Sequence, residues 1–232
     1  MIEGQEVKRF DLLKCTFIIP LRIETADRMR NIITTLIYLT RNFACRIIVK
    51  EVDKESVYLR EVKPLLEQAL EPEMLASIHH IFEESDDFTF HRTKILNDML
   101  WMVETPVVAN YDSDILLPLD SYINATNMIV KGWVHPDAKG GQPVKCVYPY
   151  GLGEYQYQCH IADEHATAFI NSGFNFEAFN GRLRKWDAKY GFCQFFDTKE
   201  YKRLGGENEN FIAYGYEDDE RHMRFNLLSS VA

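Results

Sequence analysis

Residues 106–118 read PVVANYDSDILLP. An apolar run leads through Asn110 and Tyr111 straight into Asp112-Ser113-Asp114. The run has the length and make-up of a buried strand, predicted over 106–111. Ionised carboxylates at the end of such a strand are costly to bury unless a cation or strong hydrogen bonds compensate. If the strand continues, Asp112 and Asp114 face the same side. Two hard oxygen donors on one side can hold Mn2+ or Mg2+ and still leave positions for phosphate oxygens and water. Taken alone, the tripeptide reads as a turn or helix cap with solvated aspartates.

Upstream, residues 14–20 (KCTFIIP) read as a buried strand stopped by Pro20. From Thr25, a plausible N-cap, the period changes to helical, with Met29, Ile32, Ile33, Leu36 and Ile37 on one face. Residues 45–50 are a second strand. A charged amphipathic stretch follows over 56–74, with Val62, Leu65, Leu66 and Leu70 as its stripe and a kink expected at Pro64. Residues 77–82 suit a short third strand, and 91–104 a helix. This alternation predicts an α/β fold with a mainly parallel sheet and flanking helices. Ligands bind beyond the carboxyl ends of the strands in such sheets. Pro20-Leu21-Arg22, Glu51 and the two aspartates all stand at predicted ends. Downstream the pattern is less regular, with glycine and aromatic clusters around 132–157 and 171–196 and helices expected near 198–203, 207–213 and 217–229. No repeat or low-complexity linker divides the chain. One domain is expected over 1–232, with a nucleotide-binding half (about 14–118) and a loop-rich acceptor and catalytic half (about 119–232).

The bulk properties narrow the function classes. The 232 residues are 46% hydrophobic and 13% aromatic, which suits a folded chain with a sizeable core. Net charge is −9 with no basic block, which argues against nucleic acid as a partner. The start lacks a basic segment followed by a long apolar one, and the run from Cys15 to Leu21 is too short to span a bilayer. Five scattered cysteines with no CxxC pair read as reduced thiols. A cytoplasmic protein with no transmembrane segment is therefore expected.

Two further segments carry chemistry. FHRTKILN, Phe90 to Asn97, sets Arg92 and Lys94 at a helix start, where cations oppose the helix dipole unless an anion such as a polyphosphate binds there. Ordinary surface charge is the plain alternative. GGENENFIAYGYEDDE, Gly205 to Glu220, places glycines and aromatics before four consecutive acids. Those acids make a favourable first helical turn. They also offer a general base beside rings that can stack on a sugar.

Taken in order, IIPLR, FHRTKILN, VANYDSD and GGENENFIAYGYEDDE resemble the glycosyltransferase-A fold, and within it the β-1,4-galactosyltransferase and chondroitin-polymerase-like group. The likeness runs from about Cys15 to Arg224. It implies a UDP-sugar donor, a glycan acceptor and a Mn2+ (or Mg2+) cofactor. Pro20, Leu21 and Arg22 match the segment touching the donor nucleotide, and Phe90 and Arg92 a second donor segment with Lys94 nearby. Glu51 and Ser113 are further donor-side candidates. Asp112 matches the acid near the ribose or a metal-bound water, and Asp114 the direct metal ligand. Tyr214 falls where an aromatic packs on donor and acceptor sugars. Asp218 matches the base and Glu217 an acceptor-binding acid. Gly205, Gly206, Asn208 and Glu209 echo a GG-x-NE sequence.

The departures are specific. Galactosyltransferases supply further metal ligands after the Glu-Asp pair, including a histidine, and only His222 stands there in this chain. It is carried as a candidate ligand, with a helix-surface histidine as the alternative. Tyr216 stands where that family has glycine, at the acceptor side of the base. The implied reaction moves a galactose or N-acetylhexosamine-type sugar to a hydroxyl with inversion. Two alternatives are a non-catalytic module of the same fold that binds sugar nucleotides or glycans, and a phosphatase that uses its first Asp as nucleophile. In such phosphatases the motif normally lies near the chain start and is followed by Thr or Val, whereas Ile115 follows it here.

Overall fold

The computed structural model describes residues 9–136, 141–150, 156–186, 190–212, 215–229 and 231. In chain order the elements are β1 (Phe10–Leu21), α1 (Ala26–Asn42), β2 (Phe43–Asp53), a π-helical turn (Tyr58–Val62), α2 (Lys63–Ala69), α3 (Pro72–Leu75) and β3 (Ile78–Glu84). Next come α4 (Arg92–Met102), β4 (Val107–Tyr111), α5 (Leu119–Val130), β5 (Cys146–Val147), β6 (Tyr157–Cys159), α6 (Asp163–Asn171) and a 3-10 turn (Phe176–Phe179). The last are β7 (Leu183–Lys185), β8 (Cys193–Asp197), α7 (Thr198–Arg203) and α8 (Glu217–Leu228).

The main sheet has the order β3-β2-β1-β4-β8-β5. Its first four strands run parallel, as the βαβ reading requires, and β8 lies antiparallel to both β4 and β5. Every residue of β4 is buried, so it reads as a continuous apolar run rather than an alternating one. Pro20 does not stop β1. Strand β4 pairs only with Cys15–Ile18, so Pro20 stands where one flank of β1 is open, the setting in which strands tolerate proline.

Helix α1 starts where its N-cap predicts, with the Thr25 hydroxyl accepting from the Arg28 backbone N–H at 3.2 Å. Its buried face carries Ile32, Leu36, Ile37 and Leu39 against the core. Each such side chain contributes roughly 1.5–3 kcal/mol on burial. The stretch over 56–74 is a π-helical turn that runs straight into α2, followed by a separate α3. The π-helical irregularity ends just before Pro64, the second residue of α2, and Pro72 opens α3, where a missing N–H costs nothing. Leu65 is exposed, unlike Val62, Leu66 and Leu70. The helix expected over 207–213 is absent among the described residues 207–212. There the Asn208 side chain accepts from the Asn210 N–H at 3.1 Å, and the Asn208 carbonyl accepts from Phe211, also at 3.1 Å. An asparagine that folds onto its own backbone in this way competes with helix formation.

All five cysteines are free, and four of them are buried. No helix among the described residues is long and apolar enough to cross a membrane.

Candidate active site

The corner after β4 is fixed from behind by three tyrosines. The Leu117 N–H donates to the Tyr122 hydroxyl (3.0 Å), which lies 2.5 Å from that of Tyr111, and Tyr111 donates to the Ile115 carbonyl at 2.5 Å. Tyr38 donates to the Leu117 carbonyl at 2.6 Å. From the side, the Asp112 N–H donates to the carbonyl of Phe192, a residue held at φ 70. The two aspartates thus emerge from a segment with little freedom. Asp114 reaches solvent but is crowded by protein. Crowding pushes its carboxyl above the ordinary range, Asp112 pushes the same way, and Arg28 opposes them.

Arg92, the first residue of α4, joins the two halves of the site. Its Nη2 donates to Asp112 Oδ1 at 2.7 Å. Burial works against its charge, but Asp112 and then Asp218 more than offset this and hold the guanidinium protonated. Its Nη1 is buried with no hydrogen-bond partner. His91, the residue capping α4, makes no side-chain cap bond. An unpartnered guanidinium nitrogen at an uncapped helix start is suited to an anion.

On the opposite wall, Asp218 lies in the first turn of α8. Its Oδ1 accepts from Arg221 Nη2. Its Oδ2 faces Gly191, where an added Cβ would stand 2.9 Å away. Arg221 is fully buried and donates through Nη1 to both oxygens of Glu207, at 2.7 and 2.8 Å. Glu207 also accepts from the Tyr201 hydroxyl and from Asn110 Nδ2, the latter at 3.0 Å, and its N–H donates to Asn97 Oδ1 at 2.7 Å. Glu217 is buried and folds back on its own loop, accepting from the Gly215 N–H at 3.0 Å. Tyr216 sits in the left-handed region at φ 54 with its side chain 80% exposed beside these acids. The expectation for Tyr214 lies outside the described residues.

Several expected site residues are placed otherwise. Pro20 and Leu21 are buried in β1. Arg22 is buried too, and its guanidinium donates to the carbonyls of Val52 (2.9 Å), Phe88 (2.9 Å) and Asp87 (3.1 Å) while covering the Phe90 ring. It shapes the wall instead of presenting free donors. Glu51 is fully buried. Burial alone would raise its carboxyl, but bonds from His80, Ser56 and the Tyr58 N–H hold it below the ordinary range. Its oxygens are taken up by these protein partners. Lys94 is committed to Asp98 at 3.1 Å rather than to Asp112. Ser113 is partly buried between the two aspartates. His222 stacks on Tyr190 at 3.7 Å, meets the edge of Tyr148 and lies 2.6 Å from Asn226, and burial lowers its pKa. Among the described residues it joins no group of three or more candidate metal ligands.

Sequence reasoning missed Glu207, Arg221, Gly191 and the three tyrosines. Arg221 stands three residues after Asp218, a spacing that brings helical side chains together, so it alone carried a signal.

A divalent cation fits the aspartate corner on chemical grounds. Two carboxylates one residue apart, one with its pKa pushed up by burial and then by the other, lie near a buried guanidinium nitrogen that lacks a partner. Among the described residues no group of three or more His, Cys, Asp or Glu that could hold a metal forms, so from these residues Asp112 and Asp114 would be the ligands offered at this corner.

No family profile matches the sequence, and no curated protein matches it. Solved structures do match its fold. A GalNAc-T7 structure with UDP, GalNAc and Mn2+ superposes at a TM-score of 0.56 and 10% identity, covering 95% of this chain and 42% of that one. Residues 1–349 of TarS from S. aureus give 0.52 at 12% identity, over 94% of this chain and 57% of the other. A mannosyltransferase from Pyrobaculum calidifontis, in complex with GDP-Man and Mn2+, gives 0.50 at 16%, over 94% and 53%. The chain has the glycosyltransferase-A fold. It spans about half the length of the solved chains it resembles.

Proposed function

We propose that this single-domain chain is a metal-dependent glycosyltransferase that moves a sugar from a UDP-sugar, of the galactose or N-acetylhexosamine type, to a glycan hydroxyl with inversion. The observation that carries the reading is Arg92. Arg92 donates to Asp112, Asp218 also favours its charge, and its buried Nη1 keeps no partner. The neighbours solved with UDP or GDP-Man and Mn2+ support the donor class.

In this reading Asp112 and Asp114 would hold the cation, which would supply positive charge for the leaving diphosphate. Arg92 Nη1 donates to a phosphate oxygen. Phe90 and Arg22 form the wall behind the donor. Asp218 Oδ2 takes the proton of the acceptor hydroxyl. The acceptor oxygen bonds to the anomeric carbon as the bond to phosphate breaks and UDP leaves. Tyr216 offers its exposed ring to the acceptor, and Glu217 fixes the loop that carries both.

The test is calorimetric titration of UDP with Mn2+ and with EDTA, followed by a panel of UDP-sugars. Asp114→Ala is expected to abolish metal-dependent binding. Asp218→Asn is expected to spare binding and remove transfer. Transfer by Asp218→Asn at the wild-type rate sinks the assignment of the base. UDP binding without turnover of any donor favours the non-catalytic module.

A further inference from the structure

We infer that Glu207 and Arg221 are positioning residues for Asp218: a buried ion pair that fixes one carboxylate oxygen and leaves the other unanchored beside Gly191. The inference rests on the reading of Asp218 as the base.

Arg221 heads the fully buried side chains by volume. Stability is a weak reason for such a pair, because apolar residues of similar volume usually serve as well or better. Its geometry points to another reason. Nη1 serves both oxygens of Glu207, and only Nη2 reaches Asp218. Glu207 is fixed in turn by Tyr201 of α7, Asn110 of β4 and Asn97 of α4. The orientation of Arg221, and through it of Asp218, is therefore set by the sheet and two other helices. The first turn of α8 alone gives little purchase, since Tyr216 caps it from a left-handed conformation with no side-chain cap bond.

Gly191 is the second observation. Its backbone is not in the left-handed region, so nothing there demands glycine. What the missing Cβ does is leave room for Asp218 Oδ2, the oxygen that Arg221 does not touch. One oxygen is thus anchored and the other accommodated. Charge supplies the third argument. When Asp218 gains the acceptor proton, Arg221 keeps Glu207 as its counter-charge and is not left an unpaired buried cation.

The decisive variant replaces the pair with apolar residues, Glu207→Leu together with Arg221→Met. Breaking the pair with Arg221→Met alone should lower Tm by about 10 °C. The double variant should recover most of that loss. A purely structural pair predicts that activity returns with stability. Positioning predicts that kcat stays down about 100-fold while metal-dependent UDP affinity stays within about twofold of wild type. A stable double variant with wild-type kcat overturns the inference.

Glu207→Gln keeps the shape and supplies a second test should the double variant not fold. A loss of kcat of at least about tenfold at unchanged UDP affinity is expected, and unchanged kcat overturns the inference. The crystal structure of either variant gives a readout independent of turnover. Asp218 should leave its present rotamer, and finding it unmoved is equally fatal. A wild-type protein inactive with every donor refutes the transferase reading, while the rotamer result still decides the geometric claim.

Discussion

Gly191→Ala is the sharpest probe of the site, because its structural and catalytic costs separate. The added Cβ would lie 2.9 Å from Asp218 Oδ2, and ordinary contact begins at 3.4 Å. The carboxylate oxygen must therefore retreat by about 0.5 Å, the difference of those two distances. Arg221 keeps Glu207 as its partner even if its bond to Asp218 lengthens, so the fold loses little. Alanine in an ordinary backbone conformation even restricts the unfolded chain, which is worth about 0.4–1 kcal/mol. Stability should change by less than about 1 kcal/mol, or about 2–4 °C in Tm for a chain of this size. Catalysis has no such slack. Productive geometry tolerates about 0.5 Å, and a misplacement of about 1 Å can cost about 100-fold. We expect kcat to fall about tenfold, with UDP affinity and Tm held. Initial rates over donor and acceptor concentrations, calorimetry with Mn2+ and a thermal melt check all three. Wild-type kcat at unchanged Tm would refute the claim that Asp218 Oδ2 is the proton acceptor.

Gly206→Ala should be costly to the fold instead. Its φ is 68, and a Cβ there would come within 2.3 Å of Asn97 Oδ1, so a loss of about 2 kcal/mol or more is expected in urea melts. Arg92→Lys keeps the charge but loses the fork, and UDP affinity with Mn2+ should fall about 10- to 100-fold; an unchanged affinity in calorimetry would remove Arg92 from the donor site. Tyr216→Gly relieves a left-handed tyrosine and should stabilise the chain by about 1 kcal/mol while raising the acceptor KM, whereas an unchanged KM removes the ring from the acceptor path. Asp114 has a raised folded-state pKa, so its charge opposes folding above its unfolded pKa, and the penalty disappears as pH falls below that value. Asp114→Asn should therefore raise the metal-free Tm at pH 7 but not at pH 3, and should abolish the rise that Mn2+ with UDP gives the wild type.

The parallel half of the fold was legible because its signals are local. A 3.6 period behind a threonine cap defines α1, and a continuous apolar run defines β4. Helix α5 escaped notice although Tyr122, Ala125, Thr126 and Ile129 recur at helical spacing, because half of that stripe is small or polar. Strand β8 inserts between β4 and β5 through pairings that no local pattern announces. Residue roles were harder to read than elements. Arg22 follows the end of β1 as expected, whereas β2 runs two residues past Glu51, and the polar groups of both are spent on neighbouring backbone, Ser56 and His80.

The acid motifs were legible as motifs, but what connects them was not. Asp112 and Asp218 are far apart in sequence, and no spacing rule relates them. Their relation runs through two arginines. Arg92 bonds Asp112 and feels Asp218, and Arg221 bonds Asp218 and anchors on Glu207. Arg221 disfavours the charge on Arg92, so each guanidinium needs its own carboxylates to stay charged. Glu207 answers for Arg221, which leaves Arg92 balanced by Asp112 and Asp218 together. A cation on Asp112 would draw on that same carboxylate and leave Arg92 short of negative charge, at the moment its free Nη1 gains a phosphate to bond. Metal and diphosphate should therefore bind as a unit. Mn2+ alone should bind at least about tenfold more weakly than Mn2+ in the presence of UDP, in line with ordinary coupling energies of about 1–3 kcal/mol. Equal Mn2+ affinity with and without UDP, measured by electron paramagnetic resonance of free Mn2+, would show that Arg92 does not couple the two.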